Sequence, residues 1–207
     1  ILRCDCLLHL GRAAEVEGTL APFRAAVERL EEPALVGPFH AWLALAKTFL
    51  GEGHDGVEHG ERALAAAQRC GDRRIEGLSY SLLCLQAART GQFARAIERG
   101  RRATALLDPA TTDPEFAGFA HLHLGGAYLC AGQIGAAAQA FACAAEIGAQ
   151  CGSLSVQSIA FAMIGTARMC AGELEASTEA CRRALALAPD PHSTWLSHLV
   201  LTRSSLL

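Results

Sequence analysis

Leu124-Gly125-Gly126-Ala127-Tyr128-Leu129-Cys130-Ala131-Gly132-Gln133-Ile134-Gly135-Ala136-Ala137 reads as the end of one helix, a glycine turn and the start of the next. The glycine at 132 can take the left-handed backbone that closes a helix. The small residues on either side let two helix axes approach closely. Glycines in the same setting stand at Gly11, Gly51, Gly91 and Gly172, so the separations along the chain are 40, 40, 41 and 40 residues. A fixed period of this size marks a repeat architecture in which each unit is a helix pair that buries its apolar face against its neighbours.

Residue type repeats along with spacing. Seven positions before the turn glycine lie Cys4, Ala44, Cys84, Gly125 and Gly165; five after it come Val16, Gly56, Ala96, Ala137 and Ser177; twelve after it, Phe23, Ala63, Ala103, Ala144 and Ala184. Eleven helices are predicted, over 1–10, 12–31, 34–50, 54–70, 73–90, 92–107, 114–131, 133–151, 154–171, 173–188 and 192–205. Pro22 should kink or break the second of them. Pro33 suits a helix start, Asp113-Pro114-Glu115 reads as cap, first-turn proline and acidic first turn, and Asp190-Pro191 closes the fifth pair. Asp108 to Asp113 is the longest irregular connection.

The run from Leu124 to Tyr128 through Gly132, with Ala137, Phe141 and Ala144, resembles the tetratricopeptide signature. So does Ala184-Leu185-Ala186-Leu187-Ala188-Pro189, and Trp195 falls where that family often places an aromatic. The resemblance implies an all-α fold: a right-handed α-solenoid of about five antiparallel helix pairs plus a final helix, forming a single domain over 1–207. The forty-residue period, with Gly11 to Glu17, Pro33, Gly51, Ala63-Leu64 and Gly71-Asp72, resembles the long variant in C-terminal helical regions of bacterial regulators that couple an ATPase to a DNA-binding or nucleotide-cyclase module. Because the chain opens at Ile1, it is expected to be part of a larger protein.

Composition narrows the function classes. In 207 residues, 51% hydrophobic and 19% charged is the make-up of a folded domain, and a net charge of −3 supplies no field to gather phosphates. Nucleic acid and anionic membranes are therefore not expected partners. Lys47 is the one lysine among arginines, in a chain rich in alanine and glycine, a bacterial composition. Nine cysteines, odd in number and scattered through helical sequence, read as reduced, buried thiols of a cytoplasmic protein. No cofactor is expected. Cys4 with Cys6, and His121 with His123, are two apart and point to different helix faces, so no metal site is expected.

If the chain follows the family, its first helices line a concave groove. The resemblance assigns to it Trp42, Leu45 and Phe49 of unit two, and Leu82, Leu85 and Arg89 of unit three. Unit four adds Leu122, His123, Gly126 and Cys130, and unit five Met163, Thr166 and Cys170. The family's clamp for a peptide carboxylate is missing: its sites hold Ala41 and Leu45, Ser81 and Leu85, Leu122 and Gly126. The groove should take an apolar helix or strand, or its residues simply pack the inner wall.

Charge is absent from Phe116 to Ala145 and again from Ile147 to Ala167, with Glu146 between. Other second helices carry solvated charges, such as Glu58, Glu61 and Arg62. Interrupting histidines and glutamines and a mid-run turn exclude a membrane span. The bare second helix of unit four is expected to be covered by a second copy or an adjoining domain through Ile134, Ala138, Phe141 and Ala145, unless its alanines and glycines simply tolerate water.

Two polar groups admit chemistry. His54 and His59 with Asp55 and Glu58 form a cluster that a solvated helix start explains. Arg95, Arg99 and Arg102, with Arg101, could hold an anion, but Glu98 pairs with Arg102 four residues away. No phosphate loop or nucleophile motif is present. The expected function is binding of a protein, a peptide or a small effector, in regulation of an attached domain, with a homodimeric scaffold as the alternative and an enzyme not expected.

Overall fold

A computed structural model describes residues 12–30 and 32–188, together with Arg3, Cys4, Leu7, His198 and Leu201. The expected helix over 192–205 lies almost wholly outside these residues, as does most of the one over 1–10. Every regular element among the described residues is helical. In order they are α1 (Ala14–Leu20), a 3-10 turn (Ala21–Phe23), α2 (Arg24–Leu30), α3 (Pro33–Phe49), α4 (Gly53–Cys70), α5 (Arg73–Arg89), α6 (Phe93–Leu106), α7 (Pro114–Cys130), α8 (Ile134–Cys151), α9 (Leu154–Cys170) and α10 (Leu174–Leu187). Units two to five are the pairs α3/α4, α5/α6, α7/α8 and α9/α10, each packed as a hairpin and against the next unit.

The turn chemistry accounts for the register. Gly51, Gly91, Gly132 and Gly172 have φ of 81°, 78°, 74° and 82°, where a side chain would be strained. Asp113 accepts a hydrogen bond from the Glu115 backbone N–H at 3.0 Å, with Pro114 in the first turn of α7. Pro22 lies in the 3-10 turn that divides α1 from α2, the interruption its missing N–H demands.

The crossing inside units three to five carries a compensation of size. Seven residues before the turn glycine and nine after it stand Ala44 and Gly60, Cys84 and Gly100, Gly125 and Phe141, Gly165 and Cys181. One member of each pair is glycine. A Cβ on Gly125 would lie 2.6 Å from Phe141 Cδ1, one on Gly100 3.0 Å from Cys84 Sγ, and one on Gly165 2.5 Å from Cys181 Sγ. Phe141 is fully buried and belongs to the cluster formed with Leu124, Tyr128, Ala137, Ala144 and Val156.

First helices of neighbouring units also touch one another, α3 with α5, α5 with α7 and α7 with α9, which makes them the inner wall of the solenoid. Phe116 from the first turn of α7 reaches back to Trp42 of α3, with ring centroids 6.2 Å apart, and Arg74 stands 5.9 Å from the Phe116 centroid. Unit one packs Val16 and Leu20 against Phe39, Trp42 and Leu43, and the single lysine adds a polar tie: Lys47 donates to Glu17 of unit one at 2.8 Å and to Glu52 of unit two at 2.7 Å. Both contacts favour the charged ammonium and raise its pKa.

Candidate functional site: the inner wall of units three to five

Burial sorts the expected groove residues into three groups. Trp42, Leu82 and Leu122 are 2%, 2% and 5% exposed and belong to the core, a correction to their reading as groove lining. They are covered because the first helices touch and Phe116 closes the wall over Trp42. Leu45, Leu85, His123, Gly126, Met163 and Thr166 are half-buried on the first helices, and Phe49, Arg89, Cys130 and Cys170 are exposed at their C-terminal ends.

Within the half-buried group, His123 is the polar element. Its Nδ1 shares a hydrogen bond with Ser81 Oγ at 2.8 Å, linking units three and four, and its ring leans on Phe119 with centroids 6.4 Å apart. Desolvation holds the imidazole pKa down at about 4, so the ring is neutral at physiological pH. Thr166 spends its hydroxyl on the Ala162 carbonyl of its own helix, at 3.0 Å. Gly126 stands where the neighbouring units place Leu45, Leu85 and Thr166. A Cβ built on it meets nothing within 4 Å. The wall thus has a notch at Gly126, one turn along α7 from His123, where units three and five place Leu85 and Thr166.

The expected contact face of unit four is also divided. Ile134 and Ala138 are half-buried, but Phe141 is fully buried and Ala145 only 9% exposed. These two cannot meet a partner in this packing. The outer face of α8 is instead Gln139, Ala142, Cys143, Glu146 and Gln150.

The polar clusters are accounted for within the chain. Arg99 pairs with Glu61, Arg95 lies 3.5 Å from the same carboxylate, Arg102 bonds Glu98 and the Tyr80 hydroxyl, and Arg101 bonds the Tyr128 hydroxyl. His54 lines a crevice of about 300 Å³ with Gln86, Arg95 and Arg99. His59 is drawn to His40 of α3, with Nδ1 atoms 2.9 Å apart and centroids 5.0 Å apart, a pair the linear sequence did not signal. Exposed thiols correct the expectation of buried ones: Cys84 and Cys181 are buried, but Cys70, Cys130, Cys151 and Cys170 close their helices at the surface and Cys143 lies on the outer face of α8.

Desolvated neutral histidines give the stability a pH dependence. Burial, and then the charge of His59, lowers the His40 pKa to about 4, the value His123 also has. Between pH 4 and the ordinary value near 6.5 the unfolded chain binds more protons, so stability is full above about pH 6.5 and is lost as pH falls toward 4. The two groups together should cost on the order of 2 kcal/mol between pH 7 and 5.5. Urea midpoints at the two pH values measure it; equal midpoints contradict the desolvation of these rings.

Solved structures share this course of helices. A signal transduction ATPase with numerous domains (STAND) carrying a tetratricopeptide repeat sensor, from Pyrococcus horikoshii, superposes with a TM-score of 0.68 at 14% identity. A thermophilic tetratricopeptide (TPR) protein from Thermus thermophilus does so with a TM-score of 0.64 at 20% identity, covering 99% of this chain and 96% of that one. The chain has a TPR-like solenoid fold. BtubC from P. vanneervenii is similar too, with a TM-score of 0.67 at 19% identity over 91% of this chain and 80% of that one. The match to the Pyrococcus protein spans 99% of the TPR-like chain but only 32% of that protein. No protein-family model and no curated protein matches it. No helix among the described residues is long and apolar enough to cross a membrane.

Proposed function

We propose that this TPR-like chain is a protein-interaction module that takes an extended, uncharged segment of a partner protein along the inner wall of units three to five. The observation that carries this reading is the notch at Gly126. Gly126 leaves open space one turn along the helix from the neutral, half-buried His123, so an apolar side chain can enter while the imidazole offers a hydrogen bond to the peptide backbone. Long-range attraction is not part of the recognition, since Arg89 and Arg168 are the charged residues of α5, α7 and α9 beyond their first turns. Binding of this kind would regulate an attached domain by favouring one placement of it, as the sensor in the name of the Pyrococcus protein supports. Exposed thiols on several helices favour a reducing, cytoplasmic setting. The engagement of the arginine and histidine clusters by their own neighbours favours a binding rather than a catalytic role.

A display library of random twelve-residue peptides tests the reading. Selected peptides should be apolar, and Gly126→Arg, which fills the notch with a long cation, should weaken them at least tenfold, about 1.4 kcal/mol. Unchanged affinity would remove the inner wall as the site. A homodimeric scaffold is the second reading, favoured by the outer face of α8, on which Glu146 is the one charge, with Ile134 and Ala138 half-buried at its edge. Sedimentation of the chain at high concentration separates them, since a permanent dimer persists on dilution.

A further inference from the structure

The outer side of the solenoid carries a second regularity, independent of the inner wall. Eleven positions before each turn glycine stands a ring, in His40, Tyr80, His121 and Phe161; eleven after it stand Arg62, Arg102, Cys143 and Arg183. In unit three the Arg102 guanidinium carbon is 5.5 Å from the Tyr80 ring centroid, and in unit five that of Arg183 is 4.1 Å from Phe161. In unit two Arg62 and His40 line one crevice with Ala65 and Arg69. Two units thus stack an arginine on an aromatic ring between first and second helices, as suits the planar, weakly hydrated guanidinium; in unit two the arginine and ring share a crevice, with His40 stacked on His59 and Arg62 paired with Glu58.

Unit four breaks the pattern in two places. Cys143 replaces the arginine, and one turn further Glu146 stands where the other units have Ala65, Ala105 and Ala186. Cys143 and Glu146 are both exposed, and His121 is half-buried. Glu146 forms no ion pair among the described residues. It is the one charged group between Glu115 and Arg168. No three His, Cys, Asp or Glu side chains among the described residues are placed to hold a metal, so the change does not build a metal site. An open ring, a missing cation and an added carboxylate are complementary to one group.

We propose that the outer cleft of unit four receives an arginine side chain from a partner protein, its guanidinium stacked on His121 in the place held by Arg102 and Arg183 in the neighbouring units, and paired with Glu146. The absence of other charge on the surrounding face strengthens that pairing by keeping competing ions away. Apolar residues flanking the arginine would cover Ala142 and the edge of α8.

The probe is a blocked Ala-Leu-Arg-Leu-Ala peptide, compared with the same peptide carrying neutral citrulline. The arginine peptide should shift the His121 ring resonances saturably and slow alkylation of Cys143, with the citrulline peptide at least tenfold weaker. Glu146→Gln should weaken the arginine peptide about tenfold, and Cys143→Arg, which supplies the cation in cis, should abolish binding and raise the melting temperature. Equal binding of the two peptides, no saturable shift at His121, an unchanged affinity in Glu146→Gln, or an unchanged melting temperature in Cys143→Arg overturns the proposal. Protection of Cys143 that appears without peptide and grows with protein concentration also overturns it, because a second copy then occupies the cleft.

Discussion

Phe141→Ala is expected to lower the free energy of unfolding by about 3–5 kcal/mol, the largest effect of any single truncation in unit four. The ring is fully buried and fills the crossing of α7 and α8 over a glycine. Ala137, Ala144, Val156 and Ala160 surround it, and short side chains cannot extend into the space a lost phenyl leaves. Urea unfolding at pH 7 followed by circular dichroism measures it. A loss below about 1 kcal/mol would place the ring at the surface, where the charge-poor sequence by itself would put it.

Gly125→Ala should destabilise by about 2–3 kcal/mol, from the opposite side of the same contact. The added methyl would sit 2.6 Å from Phe141 Cδ1, and the packed ring has no free direction to yield. Its neighbour behaves differently. Gly126 faces open space, so Gly126→Ala gains helix propensity without a clash and should stabilise by about 0.5–1 kcal/mol. Two adjacent glycines therefore give opposite signs under the same substitution. Adding Phe141→Leu to Gly125→Ala should recover part of the loss, and strict additivity of the two would show that methyl and ring do not collide.

The architecture was legible because turn glycines and small residues recur on a fixed period, and each reports a local constraint. The helices predicted over 34–50, 73–90 and 154–171 appear as Pro33–Phe49, Arg73–Arg89 and Leu154–Cys170, and Pro22 interrupts the chain where its chemistry requires. Which face of a helix is buried was less legible. Missing charge around Phe141 reads as exposure if each position is taken alone. Pairing it with Gly125 across the hairpin, as Cys84 pairs with Gly100, would have marked the ring as core. Trp42, Leu82 and Leu122 were misplaced for another reason: their burial comes from contacts between successive first helices, as where Phe116 of α7 meets Trp42 of α3 across two units. The bond from Ser81 to His123 likewise joins residues a whole repeat apart. Neither contact leaves a mark in local periodicity.

The claim that the inner wall is the recognition surface is tested most directly by the crystal structure of the chain with the tightest peptide selected from the library. The account predicts a peptide running past Leu85, Gly126 and Thr166, with one apolar side chain in the notch and a backbone group bonded to His123. A peptide seated on the outer faces of α6, α8 and α10, with the notch empty, would contradict it.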